Sequence, residues 1–259
     1  MKTLAVVNQK GGVGKTTTAF NLGTALSLSG FKVLLVDLDP QAHLSYSAGI
    51  KADELETTVY DVLKGDVELT KTIIQTGSIS ILPASIDLSG AEMELSNEVG
   101  RELFLKTALK DAVNYDFCII DCPPNFGLLT LNALTASQEV LVPMLAEFFS
   151  LKGLDKLLNL VDTVNCRINP SVSVTGILVT MFDNRLKLHN DVFERLREYF
   201  PDKRLKTAIR KNVALAEATS FGKSIFEYAP KSHGAEDYRN ASNEIICRGE
   251  IDGAKKKNK

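Results

Sequence analysis

Tryptophan is absent from the 259-residue chain, which holds only eight prolines and four cysteines. Cys118, Cys122, Cys166 and Cys247 are too few and too scattered for a disulfide framework, so they are expected to be reduced, structural thiols. No apolar run reaches the roughly 18 residues of a membrane span, and no charged, apolar and cleavable leader precedes the first apolar segment. A cytoplasmic protein is therefore expected. An excess of either charge is also missing: 30 Lys and Arg stand against 32 Asp and Glu, for a net charge of −2. The chain is no bulk polycation, and any contact with nucleic acid has to come from a local basic patch. Glycine, proline and serine are dispersed, and there is no internal repeat, so no linker is expected. The reading is one domain over residues 1–250 and a polar, disordered tail over 251–259.

What is present is an alternation of strand and helix patterns. Leu4–Val7, Val33–Val36, Ser80–Leu82, Phe117–Ile120, Val140–Val142, Val172–Thr180 and Arg204–Ala208 read as strands. Uninterrupted apolar runs of strand length, as in Val33–Val36, are what a strand buried on both faces looks like. Between them Thr16–Ser29, Arg101–Val113, Leu128–Ser137, Leu151–Val164, Leu188–Phe200 and Ala235–Arg248 read as helices. Gly30 suits the end of the first of these. Such alternation predicts an α/β fold, a mostly parallel twisted sheet with helices on both faces.

The first strand runs into Asn8-Gln9-Lys10-Gly11-Gly12-Val13-Gly14-Lys15-Thr16-Thr17 and then a helix. That context makes a phosphate loop. Glycines allow backbone N–H groups to turn toward anionic oxygens, and the helix N-terminus adds unpaired donors and partial positive charge. Lys15 can reach the β- and γ-phosphates of a nucleotide, and the Thr16 hydroxyl suits Mg²⁺, which prefers hard oxygen ligands. Residues Lys10 to Thr17 are thus the candidate ATP cradle. The spacing departs from the common G-x-x-x-x-G-K-[ST] form, with Gln9 where a glycine is usual and a second lysine, Lys10, at the loop's start.

The string Lys10–Thr17 resembles the deviant Walker A motif of the ParA/MinD superfamily of P-loop ATPases. The resemblance implies a homodimer formed with ATP, in which Lys10 reaches the partner's nucleotide. Asp37-Leu38-Asp39-Pro40-Gln41 follows the second strand, and residues two apart in an extended segment point the same way. It resembles the family's switch I, whose second aspartate orients the attacking water, a role carried here to Asp39; Asp37 is expected near the metal. Asp121, at the end of the apolar run Phe117–Ile120, resembles the Walker B aspartate that holds Mg²⁺, and Pro123–Leu129 resembles switch II.

Further strings are similar to the chromosomal ParA (Soj) group: Gly127–Leu134, Ala91-Glu92-Met93-Glu94-Leu95, Asn212-Val213, Ser220-Phe221-Gly222-Lys223 and Gly234-Ala235 with Tyr238. That resemblance implies chromosome or plasmid partitioning, non-specific binding to nucleoid DNA in the ATP state, and a ParB-like partner that stimulates hydrolysis. A positioning ATPase for another cargo is the alternative, and a small-molecule synthetase of the same fold is a more distant one. No extension carrying a helix-turn-helix is expected ahead of the first strand. The C-terminal residues Gly249–Ala254 hold one large apolar side chain and two glycines, so no membrane-inserting stripe is expected.

From Arg185 to Lys211 there are nine basic and four acidic residues, a net of +5. A segregated positive segment suits contacts to DNA phosphates. Arg185 matches a family arginine that contacts DNA, whereas Ala214 stands where another is usual. The family's Pro-Arg-Asn-Val reads Arg210-Lys211-Asn212-Val213 here. Asn212 thereby keeps the adenine-contact position, and Arg210 replaces the proline beside the base. Arg210 is a further candidate for both DNA and base contact, and Lys211 for DNA contact.

Overall fold

The computed structural model describes residues 1–257. Its sheet has strands β1 (Lys2–Val6), β2 (Val33–Asp37), β3 (Ile74–Thr76), β4 (Ile79–Leu82), β5 (Phe117–Asp121), β6 (Glu139–Leu145), β7 (Ser173–Phe182) and β8 (Arg204–Arg210). They lie in the order β3-β4-β2-β5-β1-β6-β7-β8. Every neighbouring pair is parallel except the β3–β4 hairpin. The helices are α1 (Lys15–Leu28), α2 (His43–Ser47), α3 (Val59–Lys64), α4 (Leu69–Thr72), α5 (Leu88–Glu94), α6 (Phe104–Ala108), α7 (Leu128–Ala136), α8 (Phe148–Arg167), α9 (Lys187–Tyr199), α10 (Val213–Ser220), α11 (Ile225–Tyr228) and α12 (His233–Lys257).

Because successive strand side chains point to opposite faces, the apolar runs feed two cores at once. Ala5, Leu34, Val36, Cys118, Ile120, Val140 and Val142 enter one. Leu4, Val6, Val33, Leu35, Phe117, Ile119 and Leu141 enter the other, beneath α1 and α12. Cys118 and Cys122 are fully buried free thiols, and burial pushes both well above the usual thiol range, which leaves them inert.

Parallel strands send all their carboxyl ends to one edge, where ligands bind in open α/β sheets. The phosphate loop follows β1, the two-aspartate turn follows β2, Asp121 ends β5, and Arg185 and Asn212 follow β7 and β8.

Three departures from the sequence reading have local causes. The expected single helix over 101–113 is broken into α6 flanked by 3-10 turns at Arg101–Leu103 and Leu109–Asp111. The helical bond that would join the Leu105 N–H to the Arg101 carbonyl is intercepted by the Asn132 amide. Its Oδ1 accepts from Leu105 at 3.1 Å and its Nδ2 donates to Arg101 at 2.8 Å. Strand β3 has three residues, too few to show a period, and turns back at Gly77 with φ 54°. Helix α12 continues to Lys257, through most of the stretch expected as a polar tail, and residues 258–259 of that tail lie outside the described residues.

Candidate active site

The phosphate loop is anchored from beneath and open above. The Asn8 amide donates to the Pro143 carbonyl at 2.7 Å, and the Thr180 hydroxyl donates to the Val13 carbonyl at 2.8 Å, tying the loop to β6 and β7. Gly12 and Gly14 take left-handed conformations, with φ 73° and 84°. A side chain would be strained there. Gly14 is also the residue from which α1 springs, and no side chain caps that end. The first backbone N–H groups of α1 are therefore on offer to an anion. Lys15 is buried and makes no ion pair among the described residues, while Thr16 and Thr17 are half-buried.

Parallel pairing of β2 with β5 sets Asp37 directly beside Asp121, in register. Both side chains are fully buried. Asp37 is satisfied by its own turn: Oδ2 accepts from the Ser45 N–H and hydroxyl at 2.9 and 2.8 Å, and Oδ1 accepts from the Asp39 N–H at 3.1 Å. Burial still pushes its carboxyl up to about 7, against those hydrogen bonds. Among the described residues Asp121 has no hydrogen-bond partner on either oxygen. Burial and then the neighbouring Asp37 charge push it well above the carboxylate range, opposed by the Thr16 hydroxyl and Lys15. Two buried acids side by side, one of them unpartnered, are costly to ionise without a cation. An orphaned buried carboxylate beside a threonine hydroxyl and an anion cradle fits a magnesium ion, which is held by one or two carboxylates plus phosphate oxygens and water.

Asp39 is buried as well, and its Oδ1 accepts from the Gln41 N–H at 3.0 Å. Its carbonyl accepts from Ala42, whose φ of 52° is left-handed. An L-residue there stores strain of roughly 1–2 kcal/mol, so the turn after Asp39 is held under tension by α2 behind it.

At the other end of the site, a cavity of about 290 Å³ lies beside Gly14 and Thr17, walled by Thr180, Met181, Ile209, Asn212 and Tyr238. Its apolar walls and its place next to the helix N-terminus suit a flat heterocycle continuing from the phosphates. Tyr238, fully buried on α12, meets the Thr18 hydroxyl at 3.2 Å and so braces α1 against α12.

A protein-family profile described as an AAA domain matches residues 1–174. The chain is 46% identical to the sporulation initiation inhibitor protein Soj of Bacillus subtilis over 96% of this chain and 99% of that one. It is 46% identical to the chromosome-partitioning ATPase Soj of Treponema pallidum over 95% and 98% of the two chains. Among solved structures, a cobyrinic acid a,c-diamide synthase from Mycobacterium smegmatis with bound ATP analog and magnesium is 38% identical with a TM-score of 0.85, covering 95% and 94% of the two chains. The chain belongs to the ParA/Soj family.

Set against the ParA/Soj pattern, the structure brings Lys10, Lys15, Thr16, Asp37, Asp39 and Asp121 to one end of the sheet. It adds partners that no motif announces. The Lys10 ammonium pairs with Glu147 at 2.6 Å on the exposed surface. Arg185 is held bidentately by Asp183 at 2.9 and 2.6 Å, and that arginine holds the Asp183 carboxyl below the usual range. Arg210 is gripped by Asp237, buried on α12, and by Glu236. These two carboxylates, hydrogen-bonded to the guanidinium, raise its pKa further. Asn212 caps α10, its Oδ1 accepting from the Ala214 N–H at 2.9 Å, which leaves the amide nitrogen as its free donor group. Lys211 is exposed. Ser45, Glu147 and Asp237 were invisible to motif reading because each acts through a contact made by folding. Only Ser45, eight residues after Asp37, lies near enough for a turn to suggest it.

Proposed function

We propose that this chain is a partition ATPase, a switch that binds ATP, dimerises, hydrolyses the γ-phosphate and releases its hold on DNA. The observation that carries the reading is the pair of buried aspartates at the ends of β2 and β5, with both oxygens of Asp121 unpartnered beside the phosphate loop. Thr16 and Asp121 would hold magnesium, with Asp37 as the neighbouring carboxylate already oriented by Ser45. That ion would supply charge neutralisation at the β- and γ-phosphates. Lys15 stabilises the same charge, the free N–H groups of α1 bind the phosphates, and Asp39 orients the attacking water. Asn212 and the cavity beside it take the base.

Lys10 completes the pocket of a second subunit. It must first leave Glu147, and because both side chains are nearly half-exposed that ion pair contributes only about 0–1 kcal/mol. The pair is therefore no obstacle to an ATP-bound dimer. DNA binding falls to α9, β8 and the loop after β8, where Lys187, Arg195, Lys206 and Lys211 are exposed and make no ion pair among the described residues. Arg185 belongs to that face, but Arg210 is committed to Asp237 and serves the fold. Association with the nucleoid and stimulation by a ParB-like protein follow from this reading. No helix among the described residues is long and apolar enough to cross a membrane.

The synthase name on the M. smegmatis structure favours a second reading, an amidating enzyme. The cavity of about 290 Å³ beside Gly14 and Thr17 suits a nucleoside in either reading. Phosphate release measured with ATP alone, then with DNA and a ParB-like protein, separates the two. Asp39→Ala should bind ATP with unchanged affinity and release no phosphate. Wild-type turnover by that variant would remove Asp39 from the mechanism.

A further inference from the structure

Helix α7 opens seven residues after Asp121, directly behind the loop that resembles switch II, and its N-cap is Gly127, which has no side chain to give. The cap comes from elsewhere. Glu92, on α5, reaches across so that its Oε1 accepts from the Leu129 N–H at 3.3 Å. A carboxylate at a helix N-terminus is favourable both as an acceptor for an orphan N–H and toward the helix dipole. Gly127 is what makes room. A Cβ there would collide with Glu92 Oε1 and lie 2.9 Å from its Cδ.

The same stretch grips α7 a turn further on. Asn132 bridges Arg101 and Leu105 as described above, and it also donates to the Leu128 carbonyl at 3.0 Å. Two residues beyond Glu92, Glu94 accepts from the Tyr60 hydroxyl of α3 at 2.6 Å, which fixes α5 from behind. The loop between Asp121 and α7 has its own internal bonds, Gly127 N–H to Asn125 Oδ1 at 3.0 Å and the Thr130 hydroxyl to the Asn125 carbonyl at 2.6 Å. It is a short, stiff strap between a carboxylate with no partner and a helix end with a borrowed one.

We infer that Glu92 is a positioning residue for hydrolysis: by capping α7 across the chain it holds the loop at residues 122–127, the stretch that resembles switch II, in place beside the phosphate loop. This rests on the ATPase reading above and deepens it. Glu92 touches neither nucleotide nor water. It acts through the first turn of α7, and its effect belongs in turnover rather than in nucleotide binding, which the loop at Lys10–Thr17 provides.

The test is a cycle of Glu92→Ala, Gly127→Ala and the double variant, with Glu92→Gln as the conservative control. ATP affinity, phosphate-release kcat and melting temperature are read for each. Glu92→Ala should lower kcat about tenfold while KM for ATP stays within about twofold, and Glu92→Gln, which keeps an acceptor oxygen, should restore most of the rate. Gly127→Ala alone should lower kcat comparably by pushing Glu92 aside, and adding it to Glu92→Ala should cost little more. An unchanged kcat in Glu92→Ala, no rescue by Gln, or effects of the two substitutions that simply multiply would each overturn the proposal. A wild-type protein that releases no phosphate would defeat the ATPase reading instead. Non-additivity of the same two substitutions in melting temperature then reads the Glu92–Gly127 contact without reference to ATP.

Discussion

Along the carboxyl edge of the sheet, the half built on β1, β2 and β5 leaves Asp121 without a hydrogen-bond partner and Lys15 without an ion pair among the described residues, whereas the half built on β7, β8 and α12 pairs Arg185 with Asp183 and Arg210 with Asp237. Both halves bring charge to the same ligand-binding edge. One buries it bare and one neutralises it internally. Unpaired buried charge costs stability, and the fold retains it only where something else arrives to complete it. The Arg210–Asp237 pair joins β8 to α12 and is committed to the fold, whereas the exposed Arg185–Asp183 pair lies within one loop and leaves Arg185 within reach of solvent. The contrast supports the proposal that the chemistry lies at the phosphate end and that Arg210, which lines the cavity beside Gly14, serves the join between β8 and α12.

The largest expected effect breaks the first half. Lys15→Ala should weaken ATP binding by at least about 100-fold, because a buried ammonium facing phosphate is lost with nothing to replace it. Direct titration with ATP and magnesium reads this, and a loss below tenfold would mean that the lysine is a bystander.

The second expectation sets the two arginines against each other. Arg210→Ala should destabilise the fold by about 1–3 kcal/mol, since it strands the buried Asp237 carboxylate. Arg185→Ala, at an exposed pair within one loop, should leave stability nearly unchanged. For DNA the order should invert: Arg185→Ala lowers the slope of log affinity against log salt by about one, and Arg210→Ala leaves it alone. Denaturant unfolding and DNA binding at several salt concentrations together show whether the carboxylate clamp has removed Arg210 from phosphate contact.

The smallest expected effect concerns the strained turn after Asp39. Ala42→Gly removes a left-handed alanine, and the relief of about 1–2 kcal/mol is largely offset by glycine's entropy, leaving a gain of at most about 1 kcal/mol. Turnover should fall if the tension helps to place Asp39, and kinetics on the stabilised variant show whether it does.

The phosphate half was legible in the sequence because its parts are local. A strand, a glycine turn, a lysine, a hydroxyl and a helix follow one another within Leu4–Ser29, and the acids close β2 and β5 as terminal residues of apolar runs. The parallel sheet was legible for the same reason, since short apolar runs such as Val33–Val36, bounded by Lys32 and Asp37, have the length and pattern of strands buried on both faces. The other half was not. Arg210 and Asp237 are 27 residues apart, on a strand and a helix whose meeting is decided by the whole fold. Counting charges from Arg185 to Lys211 gave +5 but could not show that Asp183, just outside the window, and Asp237 answer two of them. Glu92 was conspicuous only as part of a family-like string, and its purpose appears once Gly127 is seen facing it.

The central claim is that the edge of the sheet buries an unpartnered carboxylate, Asp121, beside Asp37 to receive a magnesium nucleotide, and the melting temperature of Asp121→Asn with and without Mg-ATP tests it most directly. Both buried acids have raised folded-state pKa values, so without ligand the folded chain holds extra protons and loses stability as pH rises from the ordinary carboxylate range toward about 7, the value for Asp37. Ligand-free Asp121→Asn should therefore melt above the wild type, by a margin that widens over that range, and Mg-ATP should reverse the order by stabilising only the wild type strongly. A variant that melts lower without ligand, or that gains as much from Mg-ATP as the wild type, would contradict the account.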